Sequence, residues 1–185
     1  MRALIVWSCL LLLGGYGGSA RAEWVPAAGD SLQLKAYATA RRFAEQHKEL
    51  QRFFDEAYGY AIYPSVTRGG FMLGGGYGKG IVIEAGSFVG YSSQWRASVG
   101  FQLGIQNQAQ IIFFRDAQTL HAFQHSRLEF NGQASFSVLT FGAAFDPGFN
   151  PRVAIFSLTR AGLMFELSAA AAKYRYRAAA KAPSK

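Results

Sequence analysis

Cysteine is almost absent from this chain, which has one cysteine, Cys9, and five prolines in 185 residues. Cys9 lies in an N-terminal apolar segment that we expect to be removed, so the mature protein has no thiol for a disulfide framework or for nucleophilic attack. The sequence also contains no Gly-x-Ser-x-Gly nucleophile elbow. These absences argue against nucleophilic catalysis, and we expect a binding protein that is not an enzyme.

A long hydrophobic run is also missing. The apolar segment at residues 3–13 is shorter than the stretch of about 20 residues that spans a bilayer. Arg2 precedes it, and Ala20-Arg21-Ala22 follows with the small-x-small pattern of a signal cleavage site. We therefore predict a signal peptide at residues 1–22, cleaved after Ala22, and an exported protein that is periplasmic or peripherally attached to the cell envelope.

Acidic residues are few, with 11 carboxylate side chains against 19 lysines and arginines. Removal of Arg2 and Arg21 with the leader reduces the formal charge from +8 to +6. A basic protein favours an anionic partner, either phospholipid headgroups or nucleic acid. Because export separates the chain from nucleic acid, we expect an acidic phospholipid surface to be the partner. We expect no cofactor and no metal.

Residues 31–58 predict one long amphipathic helix. Asp30 or Ser31 can cap its start, and Gly59 with Pro64 can end it. The side chains of one mostly apolar face recur with the helical period. They are Leu32, Ala36, Thr39 with Ala40, Phe43, His47, Leu50, Phe54 and Ala57. The like-charge pairs Glu45–Glu49 and Lys48–Arg52 lie on the other side of this helix, so tertiary packing must stabilise it.

The rest of the chain has the pattern of strands. Residues 99–106 alternate apolar and small or polar side chains, which is typical of a strand with one buried face. Continuous apolar runs at residues 81–83, 111–114 and 153–156 predict strands that are buried on both faces. Turns are predicted at residues 84–87 and 159–162, and a short helix from an Asp116 cap to about Gln124. Tyr174 and Tyr176 indicate a last strand.

Four ordered blocks of this sequence resemble the SYLF domain family. The first is YAIYPSVTRGGF at residues 60–71, followed by GGGYGKGIV at residues 74–82. The others are ASVGFQLG at residues 97–104, IFF at residues 112–114 and LTRAGLMFE at residues 158–166. Four motifs in order are more specific than one glycine-rich string.

The SYLF resemblance implies a fold and a function. It implies an α+β fold, with an N-terminal amphipathic helix packed on a mostly antiparallel, twisted β-sheet or barrel-like body. It also implies non-catalytic binding of phosphoinositides or other acidic lipids; some eukaryotic members bind actin, but the exported location argues against actin here. We divide the chain into a signal peptide at residues 1–22, a SYLF-like lipid-binding domain at residues 23–177 and a basic tail, predicted to be disordered, at residues 178–185.

Seven side chains are the predicted lipid-binding residues. Cations would meet the headgroups, and two aromatic side chains of the helix would enter the membrane interface. The cations are Arg68, Lys79, Lys173, Arg175 and Arg177, and the aromatic residues are Phe53 and Phe54. Packing of the helix against the sheet is the competing prediction, because most amphipathic helices face a core.

Two other sites and two other functions compete with this prediction. A phosphate loop at residues 74–80 is disfavoured, because Ile81 follows where a Ser or Thr would bind magnesium. His121 and His125 have metal-ligand spacing but no obvious third ligand. A small outer-membrane β-barrel, or an envelope module that binds a protein partner, remains the alternative to lipid binding.

Overall fold

The computed structural model describes residues 24–71, 73–99, 105–125, 136–137, 152–159, 162–166 and 172–180. Its N-terminal part is helical, as the sequence predicts. Helix α1 spans Ser31–Gln46, a 3₁₀ turn follows at Lys48–Leu50, and helix α2 spans Gln51–Glu56. Asp30 caps α1, because its carboxylate accepts hydrogen bonds from the backbone N–H groups of Leu32 and Gln33.

The prediction of one continuous helix over residues 31–58 is wrong at His47. The backbone leaves the helical region there, with φ −134° and ψ 80°. Of the two like-charge pairs that disfavour a continuous helix, Glu45–Glu49 spans this break and Lys48–Arg52 lies directly after it. Phe43 before the break, and Leu50 and Phe53 after it, are all almost fully buried, so the break lets two helical segments face one core.

All the strands belong to one antiparallel sheet. Within the described residues it has eight strands in the order β5-β7-β6-β4-β1-β2-β3-β8. The strands are β1 Gly59–Phe71, β2 Leu73–Glu84, β3 Ser87–Val99, β4 Ile105–Phe114, β5 Phe136–Ser137, β6 Val153–Thr159, β7 Gly162–Glu166 and β8 Ala172–Ala178. The last strand of the chain pairs with β3. The fold is α+β with a helix packed on the sheet, which confirms the predicted class.

The continuous apolar runs are buried on both faces of the sheet, as predicted. Ile81, Ile83 and Phe113 pack under α1 and α2 in one core cluster. Val82 and Phe114, their neighbours along the same strands, belong to a second cluster. We call the first side the helix face and the second the α3 face, since α3 (Ala117–Gln124) contributes Leu120 and Phe123 to the second cluster.

The short helix and the turns fall where the sequence predicts them. Asp116 caps α3 by accepting hydrogen bonds from the backbone N–H and the hydroxyl of Thr119, which are 2.8 and 2.7 Å away. The turn between β2 and β3 places Ala85 and Gly86 at positive φ, 47° and 79°, as a tight hairpin with a right-handed strand twist requires. The second turn joins β6 and β7, whose end residues Thr159 and Gly162 pair with each other.

Pro64 lies within β1, the strand between β4 and β2, so it does not end the helix, which stops earlier at Glu56. The register of β1 shifts at this point against both neighbours, between Ile62 and Ser65 on one side and between Tyr63 and Val66 on the other. A proline cannot donate a ladder hydrogen bond, so a central strand accommodates it at a bulge. The bulge shifts the alternation of side chains along β1 by one residue. As a result Ile62 and Ser65, which are three positions apart, both lie on the helix face.

Several sequence predictions fall outside the described residues. They concern the signal peptide at residues 1–22, the middle (residues 100–104) of the alternating strand predicted at 99–106, and residues 181–185 of the tail predicted at 178–185. The two ends of that predicted strand belong to different strands, because Val99 ends β3 and Ile105 begins β4. Ala178 is part of β8, and the backbone N–H of Ala179 donates to Val89 O at 2.9 Å, so the sheet continues beyond the predicted domain boundary at residue 177. None of the described helices has the length and apolarity needed to cross a membrane.

Gly80→Ala is expected to destabilise the fold strongly. A Cβ at Gly80 would lie 2.2 Å from Ile62 O and 2.6 Å from Tyr63 Cδ1, and the backbone atom cannot move aside easily. We expect a loss of about 3 kcal/mol in the free energy of unfolding, measured by urea denaturation.

Gly75→Ala is the matched control on the same strand, because its new Cβ would have its nearest neighbour, Arg96 O, at 3.7 Å. The free energy of unfolding of this variant should fall by less than about 1 kcal/mol. Equal losses for the two variants would contradict the close approach of β2 to β1 at Gly80.

Candidate functional site

The helices cover only one half of the helix face. Near Ile83 and Phe113 the strands lie under α1 and α2. Towards the other end of the same strands Tyr77, Lys79 and Trp95 are exposed. Side chains two residues apart share a face, so these exposed residues continue the helix face beyond its covered part.

Three of the predicted lipid-binding cations meet on this open half, and a fourth, Arg177, lies at its border with the covered half, level with Tyr91 and Ile81. Lys79 on β2 pairs with Ser93 on β3, which pairs with Arg175 on β8. Lys173 and Arg177 lie two positions from Arg175 on either side, and all four cations are exposed. Cross-strand partners point to the same face. The tertiary structure therefore gathers residues about 100 positions apart in sequence into one basic surface.

An aromatic pair lies within the same surface. Tyr77 pairs with Trp95 across β2 and β3, and Trp95 pairs with Lys173 across β3 and β8. The Tyr77 and Trp95 rings are 4.5 Å apart between centroids, and Trp95 is 59% exposed. We call the six side chains Lys79, Lys173, Arg175, Arg177, Tyr77 and Trp95 the basic face.

The charge of the basic face is positive throughout its described part. Lys79, Lys173, Arg175 and Arg177 make no salt bridge with another described residue. On the described strands, no carboxylate occupies a position on this open half. These cations, with no carboxylate beside them on the described strands of this half, create a potential that attracts anions.

A hydrogen-bonded link joins the basic face to α1. The Arg177 guanidinium carbon lies 5.3 Å from the centroid of the Tyr91 ring, and Tyr91 Oη donates to Asp30 Oδ2 at 2.5 Å. Burial raises the pKa of Asp30, but hydrogen bonds from Tyr91, Gln33 and Leu32 outweigh it, so that the pKa lies below its usual value. The same bond to the Asp30 carboxylate raises the pKa of Tyr91. The N-terminus of α1 is thereby held against β3.

Arg68 does not lie on the basic face. It pairs with Gly76, whose neighbours Tyr77 and Gly75 have the opposite orientation, so Arg68 belongs to the α3 face. Its side chain passes over Gly76, where an added Cβ would lie 3.1 Å from Arg68 Cγ. The cause is the bulge at Pro64: without the extra residue, Arg68 would share a face with Ile62.

Phe53 packs inside the protein, where it is not available to a membrane interface, and Phe54 is largely engaged in aromatic packing. Phe53 is 2% exposed, and its ring packs against Phe113 and Phe156 at centroid distances of 5.6 and 4.9 Å. Phe54 is partly buried and packs edge-on against Tyr60 and Phe113. The structure therefore favours the packing role of the helix over its membrane role.

The glycine cluster and the histidine pair are placed as structural features. Gly78 and Gly80 lie inside β2, where an added Cβ would meet β1 at less than 3 Å. They permit close strand approach, as the sequence predicts. His121 Nε2 lies 3.6 Å from Glu84 Oε1, and His125 Nδ1 lies 2.7 Å from His121 O. Among the described residues, no group of three potential metal ligands comes together.

The α3 face has a polar interior beyond its apolar cluster. Tyr63 Oη and Ser92 Oγ are 2.8 Å apart, and burial raises the pKa of Tyr63 well above its usual value. Gln110 Nε2 donates to Ser157 Oγ at 3.1 Å. Gln94 is fully buried, and its amide has no hydrogen-bond partner among the described residues. These side chains point away from the basic face.

A cleft of about 270 Å³ lies on the covered half, between the two helices and the β2–β3 turn. Two perpendicular aromatic pairs line it, Trp24 with Tyr37 and Phe54 with Tyr60. It contains one predicted site residue, Phe54. The cleft lining includes Gly59, which pairs with Glu84, seven residues or about 23 Å along β2 from Tyr77, and none of the six side chains of the basic face lines the cleft.

The fold and this surface define an α+β protein with one cationic, aromatic sheet face. No protein-family model matches the chain, and no curated protein matches it either. Membership in the SYLF family therefore stays a prediction from the four sequence blocks.

Sequence reasoning missed Tyr77 and Trp95 as site residues. One signal was available for Tyr77, which lies two residues from Lys79 in a strand-like segment and so shares its face. Trp95 gave no such signal, because its position beside Tyr77 and Lys173 depends on the register of β3 with β2 and β8.

Tyr91→Phe is expected to raise the pKa of Asp30 towards its usual value, because the variant removes a hydrogen bond to the carboxylate. A carboxyl whose pKa is lowered by folding stabilises the protein above pH 3.8, and that contribution is lost as pH falls through the folded-state value. The free energy of unfolding of the variant should be about 1 kcal/mol lower at neutral pH. The part of its pH dependence that Asp30 causes should also be weaker.

A carboxyl NMR titration combined with urea denaturation measures both effects. Tyr58→Phe is the control, because the Tyr58 hydroxyl donates to Glu84 and not to Asp30. Unchanged titration of Asp30 in Tyr91→Phe would show that the link to β3 does not hold in solution.

Proposed function

We propose that this protein binds the surface of membranes rich in acidic phospholipid through its basic face, without chemical change to the lipid. The observation that supports this most is the convergence of Lys79, Lys173, Arg175 and Arg177 on one exposed side of the sheet. Lipid headgroups supply the phosphates that such a surface attracts. The export signal predicted at residues 1–22 suggests a membrane of the cell envelope.

The expected strength of the electrostatic attachment is modest. Each cation near an anionic membrane contributes about 1 kcal/mol, so four contribute about 4 kcal/mol at most. That free energy alone corresponds to a dissociation constant of about 1 mM. Binding through the cations is therefore reversible, and it weakens with salt because the Debye length shrinks from about 30 Å at 0.01 M to about 3 Å at 1 M.

The SYLF resemblance supports the same class of ligand, but the contact in this structure differs from the one predicted from the amphipathic helix. In the sequence prediction the helix enters the interface, whereas in this structure Phe43, Leu50 and Phe53 face the core. We therefore assign the proposed contact with lipid to the basic face of the sheet.

A protein partner at the edge of the sheet is the competing function. β8 is the last strand in the described order, and such an edge can accept another strand. However, Lys173, Arg175 and Arg177 alternate along β8, and charged edges of this kind oppose strand addition. The observations favour the membrane.

A vesicle sedimentation assay tests the proposal. The wild-type protein should pellet at low salt with vesicles of phosphatidylglycerol and phosphatidylcholine, and not with phosphatidylcholine alone. Replacing both Lys173 and Arg175 with Gln removes about 2 kcal/mol of attraction, so we expect binding about 30-fold weaker.

The control replaces both Arg115 and Arg152 with Gln. These exposed arginines follow β4 and precede β6, at the strand ends far from the basic face, and the change in net charge is the same. Their removal should alter binding much less. The proposal would be abandoned if wild-type protein stayed in the supernatant with acidic vesicles, or if the two double variants lost equal affinity.

A further inference from the structure

The basic face contains more exposed apolar surface than a purely electrostatic site needs. Four large hydrophobic side chains of the described residues are exposed, and two of them, Tyr77 and Trp95, are in contact with each other on this surface. The other two, Val25 and Leu34, lie before and within α1. Clustered exposed apolar surface marks an interaction site more often than single residues do.

We propose that Trp95, supported by Tyr77, inserts into the interfacial layer of the membrane and anchors the protein with the sheet face towards the lipid. This inference rests on the proposed function and assigns it a second, non-electrostatic component. The ligand of this anchor is the headgroup and upper acyl region of the bilayer, where amphipathic indole and phenol rings partition favourably.

The position of Trp95 suits such an anchor. Its strand neighbours are Tyr77 on β2 and Lys173 on β8, so the indole lies between an aromatic ring and a cation on a surface held by backbone hydrogen bonds. A rigid sheet loses little conformational entropy when it presents an aromatic ring to a partner. Trp24, by contrast, is 5% exposed and packs against Tyr37, so it cannot serve in this way.

The cations and the indole would act at different ranges. The attraction between an anionic membrane and the four cations, Lys79, Lys173, Arg175 and Arg177, acts over about one Debye length, and salt screens it. Burial of the Trp95 ring adds a hydrophobic contribution that salt does not screen. The inference therefore predicts a component of vesicle binding that persists at high salt and depends on residue 95.

A structural role of the pair is the competing explanation. Cross-strand aromatic pairs stabilise sheets by about 1 kcal/mol, and Tyr77–Trp95 has the geometry of such a pair. A purely structural pair predicts that substitution lowers the thermal midpoint and leaves the vesicle affinity of the folded protein unchanged.

The experiment uses tryptophan fluorescence with vesicles of phosphatidylglycerol and phosphatidylcholine, some of them containing brominated lipid as a quencher. Wild-type emission should shift to shorter wavelength on binding and be quenched by bromine. Trp95→Phe keeps an aromatic anchor, so it should still pellet but lose the shift and the quenching. This variant separates the signal of Trp95 from that of the chain's other two tryptophans.

Two further variants measure the contribution to affinity. Trp95→Ala should bind about tenfold more weakly at high salt than the wild type, and its thermal midpoint shows whether it is folded. Trp95→Lys adds a cation to the basic face. At high salt it should bind more weakly than the wild type, whereas purely electrostatic attachment predicts binding at least as tight as that of the wild type.

The outcomes separate this inference from the proposed function. Pelleting without a fluorescence shift, a shift that persists in Trp95→Phe, or high-salt binding of Trp95→Lys as tight as that of the wild type overturns the anchor and leaves lipid binding intact. Failure of the wild type to pellet at any salt concentration overturns lipid binding and the anchor together. Loss of shift in Trp95→Phe, combined with loss of salt-resistant binding in folded Trp95→Ala, supports the anchor.

Discussion

Burial of the same apolar strand segments from both sides is the constraint on which the rest of this structure depends. Ile81, Val82 and Ile83 on β2, and Ile111 to Phe114 on β4, are fully buried although adjacent residues point to opposite faces. Such segments need an apolar layer on each side of the sheet. α1 and α2 supply one layer and α3 supplies the other, and both lie over the same end of the strands.

The covered half of the sheet explains why the other half is available. The layer of helices ends where the apolar runs end. Further along the strands, the helix face consists of the exposed side chains Tyr77, Lys79, Trp95 and Arg175. A cationic, aromatic surface can form there without competing with the core, because the core is complete at the opposite end. Phe43, Leu50 and Phe53 have a packing role, so the binding surface that we propose lies on the sheet.

Backbone details decide which side chains reach that surface. The bulge at Pro64 shifts the alternation of β1 by one residue, and it directs Arg68 to the α3 face. The glycines of β2 allow β1 to approach closely, so that Tyr63 and Val66 fill the α3 face above Gly80 and Gly78. The separation between a cationic exposed face and a polar buried face thus follows from one proline and a few glycines.

The amino-acid sequence by itself determined the fold class, the doubly buried strands, the cap and extent of α3, and the positions of the two turns. These features depend on local periodicity and turn chemistry, which are encoded by residues close together in the chain. The positive charge of Lys79, Lys173, Arg175 and Arg177, together with the SYLF resemblance, made them candidate site residues, but the sequence did not show that they share a face. The tertiary structure decided the helix break at His47, the orientation of Arg68 and the neighbours of Trp95. Each of these depends on strand register or on packing between distant segments, and one residue of register reverses the face on which a side chain lies.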